Sequence, residues 1–426
     1  MSTSDLLQLQ QPLTDGGIRT VNFFNGRLLT SKDLSREQEA RRLSDTRLGL
    51  ALGEGVAFGL EVARDTSPKL PAGSFVRISA GLAVNRDGQT LRLTQDTTVA
   101  LTRQFTADLS DCCAFSNCTR LQGGTYVAGA GVYVLTIAPS STTEGRAATN
   151  GLDPLNVRCN TDATVGALQF RLLMLTRNML AGIDLAGNTL RNELAYRCFG
   201  AGIQPSWFES LLTALTRSDD LLDGLRDIGL SDQEVPLALI DFRGASEVAF
   251  IDSWAVRRPL HQPESSALAG LVEGRRQALG RAMFLQFQSQ IADLGSPVLL
   301  PDGVTAQSHF RYLPPVGVIP VPEESDDSDA QATHFFSGLT YRTPTHIHGA
   351  QVEALLRESQ VLPPIDTAGN EMIWLYRVRE NRMAIELGAA PRPTGYLIFA
   401  SGHLPYRGDA RYDLARFDFA NYALTP

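Results

Sequence analysis

Apolar and polar positions along the chain alternate with two different periods, and the changes between them divide it into elements. The first 20 residues are polar, with Pro12 and an Asp15-Gly16-Gly17 turn, and read as an N-terminal arm. Val21 to Leu29 is a short apolar strand interrupted by Asn25-Gly26. A helix is predicted from Thr30 to Leu52, because Thr30 and Asp33 have the spacing of a capping box. Within it Ala40, Leu43, Arg47 and Leu50 fall on one narrow stripe, while Arg36, Glu37, Glu39, Arg41, Arg42 and Asp45 charge the remainder. From Gly53 to Ala100 short alternating runs predict strands at 56–62, 75–78, 81–84 and 90–93, with Asp87-Gly88 as a hairpin signal. Val132–Ala138 and Leu168–Leu175 are apolar on both faces and predict buried strands, and the polar stretch Ser140–Thr164 between them predicts a loop.

Residues 181–295 change character. Short helices are expected at 188–198, 207–216 and 219–227, strands at 235–241 and 247–251, and the longest helix at 264–294, introduced by Pro263. Leu268, Leu271, Val272, Leu279, Met283 and Leu285 mark the apolar face of that helix. The last third opens on a Pro-rich stretch, Tyr312 to Pro322, expected to be an extended edge or connector because prolines interrupt a ladder. An acidic loop, Glu323–Asp329, follows, then a short helix at 351–359, strands at 372–379, 383–387 and 396–401, and an aromatic tail from Tyr406 to Tyr422. No repeat of fixed period is visible. The fold class this predicts is α+β and multidomain: the arm (1–20), a β-rich domain with its helix (21–180), a mainly helical segment (181–295) and a C-terminal β-rich domain (296–426).

Composition narrows the function classes. At 426 residues, 43% hydrophobic and 20% charged, the chain has material for several cores. A net charge of −8 argues against gripping nucleic-acid phosphates or an anionic membrane surface. No apolar run approaches the roughly 20 residues that span a bilayer, and no signal-peptide pattern opens the sequence, so cytoplasmic synthesis is expected. Five cysteines at irregular spacing, Cys112, Cys113, Cys118, Cys159 and Cys198, make a poor disulfide framework, and reduced thiols are the better reading than half of a zinc site.

Chemistry-bearing motifs are sparse. His346 and His348 form an HxH pair that on a strand would point both rings to one face, with His334 and Glu353 as further ligands, but two loop histidines beside Pro344 are the favoured reading. His403 could be argued as a base, yet no GxSxG elbow supplies a nucleophile. The acidic loop lacks the glycine and terminal glutamate of a calcium loop, and no P-loop, GxGxxG or HExxH is present. We therefore expect no catalytic residues, no cofactor and no metal.

Val21-Asn22-Phe23-Phe24-Asn25-Gly26-Arg27-Leu28-Leu29-Thr30, with Asp33-Leu34, Glu37-Gln38 and Gly53-Glu54-Gly55-Val56-Ala57-Phe58-Gly59-Leu60-Glu61-Val62, resembles a segment of proteins encoded with phage-tail-like contractile injection systems. That segment has the form F-x-G-R-x-L-T-x-x-D-L followed by G-x-G-V-x-x-G-L-x-V; Ala80 to Gly88 fits its continuation, and Phe310 to Gly317 is similar to a downstream element. Ala57 and Phe58 stand where larger or cysteine-containing variants are expected, a departure that touches packing only. The resemblance implies a structural subunit of the baseplate or needle-tip and shell region, without catalytic residues. Its partners would be baseplate, tube or sheath subunits and further copies of itself in a symmetric homo-oligomer. Such particles assemble in the cytoplasm and can end up extracellular or membrane-anchored, with contact to a cell surface through the particle. The alternatives are a receptor- or surface-binding module of the same particle and, more weakly, a cargo hydrolase. Phe23, Phe24, Arg27, Leu43, Arg47 and Leu50 are the residues expected to carry assembly.

Overall fold

The computed structural model describes residues 14–65, 75–104, 125–127, 129–147, 160–200, 221–227, 229–244, 247–260, 274–295, 300, 303–321, 334–379 and 395–402. Helices and antiparallel sheets are both present, with 28% of residues helical and 36% in strands, an α+β fold. Helix α1 (Ser31–Leu52) starts at the expected cap and leads into a bent hairpin. Its strands are β1 (Gly55–Gly59), β2 (Val62–Arg64), β3 (Phe75–Ile78) and β4 (Gly81–Val84). The apolar run 56–62, expected as one strand, is broken: Gly59 (φ +61°) and Leu60 (φ +56°) both take the left-handed conformation. The break swings the chain between sheets, so β1 pairs with β4 while β2 pairs with β3. Strand β5 (Thr90–Leu93) completes the first of these sheets and β6 (Thr97–Ala100) the second. The hairpin expected at Asp87-Gly88 joins β4 to β5. Strands β7 (Thr102–Gln104) and β8 (Thr125–Val127) form a separate pair.

The centre is a four-stranded antiparallel sheet in the order β10-β9-β11-β12, built from β9 (Gly131–Ala147), β10 (Asn160–Met174), β11 (Val235–Gly244) and β12 (Glu247–Asp252). Alternation sends Tyr133, Leu135 and Ile137 to a core shared with β1–β6, and Val132 and Val134 to the opposite face. That opposite face is covered by α2 (Leu190–Cys198), α3 (Leu221–Arg226) and α4 (Gly274–Leu294). One expectation is corrected here. The segment 140–147 and 160–164, read as loop from its polarity, continues β9 and β10 as a two-stranded ribbon, with 140–145 and 161–164 exposed. A ladder of backbone hydrogen bonds needs no apolar side chains, so hydropathy alone missed it. The strand expected at 235–241 is β11, and it pairs directly to β9, so the central sheet takes strands from both sides of residue 180.

Helix α4 joins the central sheet to the C-terminal part: Ala282 and Met283 pack on the α2 side, Phe287 and Ile291 on the next core. Its junction face is polar. Buried Asp252 accepts bonds from the Arg191 Nε (2.7 Å) and Gln286 Nε2 (3.0 Å), and Arg191 also reaches Asp293 at 2.5 Å. Beyond α5 (Ala306–His309) lies β13 (Tyr312–Leu313), which pairs with β16 (Ile365–Asp366). The last sheet has the order β14-β18-β17-β15, from β14 (Val316–Val321), β15 (Thr345–His348), β17 (Trp374–Arg379) and β18 (Gly395–Ala400). Strand β14 is an edge, as its prolines require, and β15 runs parallel to β17. Helix α6 (Gly349–Ser359) covers the second face of this sheet through Leu355. No helix among the described residues is long and apolar enough to cross a membrane.

Candidate assembly surface

Helix α1 is fixed at its start by short-range bonds. The Thr30 hydroxyl oxygen accepts the Asp33 amide at 3.3 Å, and the Asp33 carboxylate accepts the Thr30 amide at 3.0 Å, a reciprocal capping box. Arg27 clamps the preceding turn onto that start: Nη2 donates to Asp33 at 2.6 Å, Nη1 to the Asn22 carbonyl at 2.6 Å, and its guanidinium lies 5.9 Å from the Phe24 ring. Bonds from Thr30, side chain first and backbone second, and then from Arg27, hold the Asp33 carboxyl down at about 2. The turn closes through the Arg27 amide to the Phe24 carbonyl at 3.1 Å, with Gly26 at φ +89°.

Residues 16–21 run back along one side of the helix. Buried Val21 donates its amide to Glu37 at 3.4 Å, and Arg47 donates to the Gly16 carbonyl. On another side the helix makes a close approach to the body, Gly49 against the backbone of Gly88 in the β4–β5 turn. Beside it Glu54 pairs with Arg86 at 2.6 Å, inside a cluster with Arg226, Asp223 and Asp232. Of the 22 residues in α1 only Ala40 and Gly49 are buried.

An apolar surface is therefore left uncovered. Ten of the fifteen large apolar side chains exposed among the described residues lie between Phe23 and Phe58, and Leu28 reaches 88% exposure. Isolated exposed leucines are ordinary, but this concentration in one stretch of the chain is not. Of the residues expected from sequence, Phe23, Phe24, Leu43 and Leu50 are exposed here. Arg27 is half-buried and Arg47 exposed, and both are engaged in holding the arm to the helix. Leu28, Leu29, Leu34, Leu48, Leu52 and Phe58 share the surface and were not singled out. Leu48 and Leu52 lie on a different face from Ala40, Leu43, Arg47 and Leu50, so a search for that one stripe passes over them.

The chemical candidates lie elsewhere. His346 and His348 fall on β15 in register with Arg377 and Arg379, with side chains outside the described residues, as are His403, the acidic loop 323–329 and Cys112, Cys113, Cys118 and Cys159. His334 is exposed and its Nε2 accepts the Gly303 amide at 3.3 Å, while Glu353 is exposed on α6. Cys198 is buried in the core beneath α2. Among the described residues no group of three or more His, Cys, Asp or Glu side chains is placed to hold a metal ion.

No family model matches the chain, and no curated protein matches it. Among solved structures it is similar to one described as the crystal structure of TssK, at 12% identity over 91% of this chain and 93% of that chain, with a TM-score of 0.21. At that TM-score the likeness carries no argument about fold or function.

Proposed function

We propose that this chain is a non-catalytic structural subunit of a phage-tail-like contractile injection particle, placed in the baseplate or needle-tip and shell region and acting through subunit contacts. The observation that carries the reading is the helix α1 with its turn 22–29, which projects a concentrated apolar surface that its own fold leaves bare. Six of these exposed side chains, Phe23, Phe24, Leu28, Leu29, Leu34 and Phe58, fall within Val21–Thr30, Asp33-Leu34 and Gly53–Val62, whose pattern resembles proteins of such systems. At those positions resemblance and exposure coincide, though they are independent observations. Obligate assembly contacts of over ~2,000 Å² are commonly built by extensions of this kind rather than by flat patches.

The test replaces Phe23, Phe24, Leu28 and Leu29 together by serine, all of them more than half exposed. The variant should fold and melt as the parent does, yet fail to enter particles when it is the only copy supplied. Particles carrying the variant at parental occupancy would refute the role of this surface.

A further inference from the structure

Resting on that assembly reading, we infer that α1 pairs antiparallel with α1 of a second copy of this chain, with Arg41 and Asp45 setting the register. At about 100° per residue, Leu34, Gln38, Arg41, Asp45, Leu48 and Leu52 form one stripe along the helix. All six are exposed. The stripe lies between two occupied sides, one with Glu37, Ala40 and Arg47, where Gly16 and Val21 bond to the helix, and one with Gly49, which meets the Gly88 turn. Its spacing alternates four and three residues over the whole helix, the repeat that keeps one seam against a partner helix.

The order of residues along the stripe is self-complementary about position 43. In an antiparallel pair centred there, Leu34 lies opposite the partner's Leu52, Gln38 opposite the partner's Leu48, and Arg41 opposite the partner's Asp45. The central ion pair occurs twice by symmetry, as an isologous contact demands. A parallel pair in register would instead set Arg41 against the partner's Arg41 and Asp45 against the partner's Asp45, like charges at the centre of the seam. Charge therefore selects the antiparallel arrangement. Arg42 flanks the seam near the two-fold and would approach its own copy, but its charge is already taken up by Glu39 at 2.8 Å.

The ends also match. The exposed turn with Leu28 and Leu29 precedes Leu34, and in the antiparallel pair it reaches the end of the partner helix marked by the partner's Leu52. The helix alone is about 33 Å long. A standard interface takes about 20–30 residues from each side, and the seam, its flanks and the turn are of that order.

Analytical ultracentrifugation of the full chain across a concentration series tests this. The parent should be a dimer. Arg41→Asp and Asp45→Arg should each raise the dimer dissociation constant about tenfold or more, since each turns two attractions into two repulsions. The double variant R41D/D45R should recover the parental constant. Circular dichroism of each variant reads the helix itself, so loss of pairing is told apart from loss of α1. A monomeric parent, singles that dimerise like the parent, or a double variant that stays dissociated would each overturn the pairing. Particle incorporation, measured in parallel, would then still stand or fall on its own with the assembly reading.

Discussion

The attachment of α1 to the body rests on two glycines, and substituting Gly49 sets two physical effects against each other. Alanine is a better helix former than glycine by about 1 kcal/mol, and valine by somewhat less than that. Propensity alone therefore ranks the helix as Ala over Val over Gly. The structure predicts the reverse. A Cβ at Gly49 would stand 1.9 Å from the Gly88 carbonyl oxygen, 2.7 Å from its carbon and 3.0 Å from its Cα. All three atoms are backbone, and the Gly88 turn is held by its own amide bonding to Asn85 at 2.9 Å, so no side-chain rotation relieves the contact. Overpacking of this kind costs about 1–3 kcal/mol, and a clash with backbone belongs at the upper end. Net of propensity, Gly49→Ala should weaken the attachment by about 2 kcal/mol, and Gly49→Val by more. Because few other contacts hold α1, the loss should appear as local opening rather than as global unfolding. Native-state hydrogen exchange of the amides in 31–52 is the assay, with an expected acceleration of roughly 30-fold for alanine. Protection in the order Ala over Val over Gly would refute the close approach.

Two other predictions concern charge. Asp33 has its pKa lowered to about 2, so its contribution to the α1 start is complete above the ordinary value of 3.8 and lost as pH falls through about 2. An NMR titration of Asp33 should show that low midpoint, and Thr30→Ala should move it upward, because Thr30 supplies the largest causes. At the α4 junction, Arg191→Leu removes the cation from fully buried Asp252 and should cost about 3–5 kcal/mol in denaturant unfolding. A loss under about 1 kcal/mol would mean that Gln286 and the Ala255 amide suffice for that carboxylate.

Much of the architecture is legible in the residues, and the misses have physical causes. The α1 start was readable because a capping box is local, requiring only Thr30 and Asp33 three apart. The β14 edge followed from prolines that cannot donate to a ladder. The ribbon 140–147 with 160–164 was missed because its pairing lies in the backbone, while its residues are mostly polar, Ser, Thr, Glu, Asn and Asp among them. The α4 face was only partly visible: Met283 is buried as expected, but Gln286 and Gln290 are buried too, bonded to Asp252, to each other and to the His309 carbonyl. A polar residue counts against a buried face in any hydropathy pattern, and only its partners reveal otherwise. On the candidate surface Phe23, Phe24, Leu43 and Leu50 could be picked out, whereas the importance of Gly49 could not. A glycine in a helix reads as a weakness until the backbone it admits is known.

What remains to be explained is how α1 holds its shape while so little of the fold covers it. Isolated helices shorter than about 12–15 residues are marginal in water, and most protein helices depend on packing of an apolar face. Helix α1 has 22 residues with two buried, yet it carries its own supports. Its first turn is capped by Thr30 and Asp33, Arg27 braces that cap from the preceding turn, Glu39 and Arg42 pair along its length, and the arm bonds to Glu37 and Arg47. Each is a small term on an exposed surface, but none requires a second chain. A helix ordered before it meets a partner loses little conformational freedom on docking, so the apolar surface it presents converts more of its burial into affinity. The sequence thus invests local bonds, rather than core, in an element whose exposed leucines gain nothing while the chain is alone. That division is what the proposed assembly interface requires.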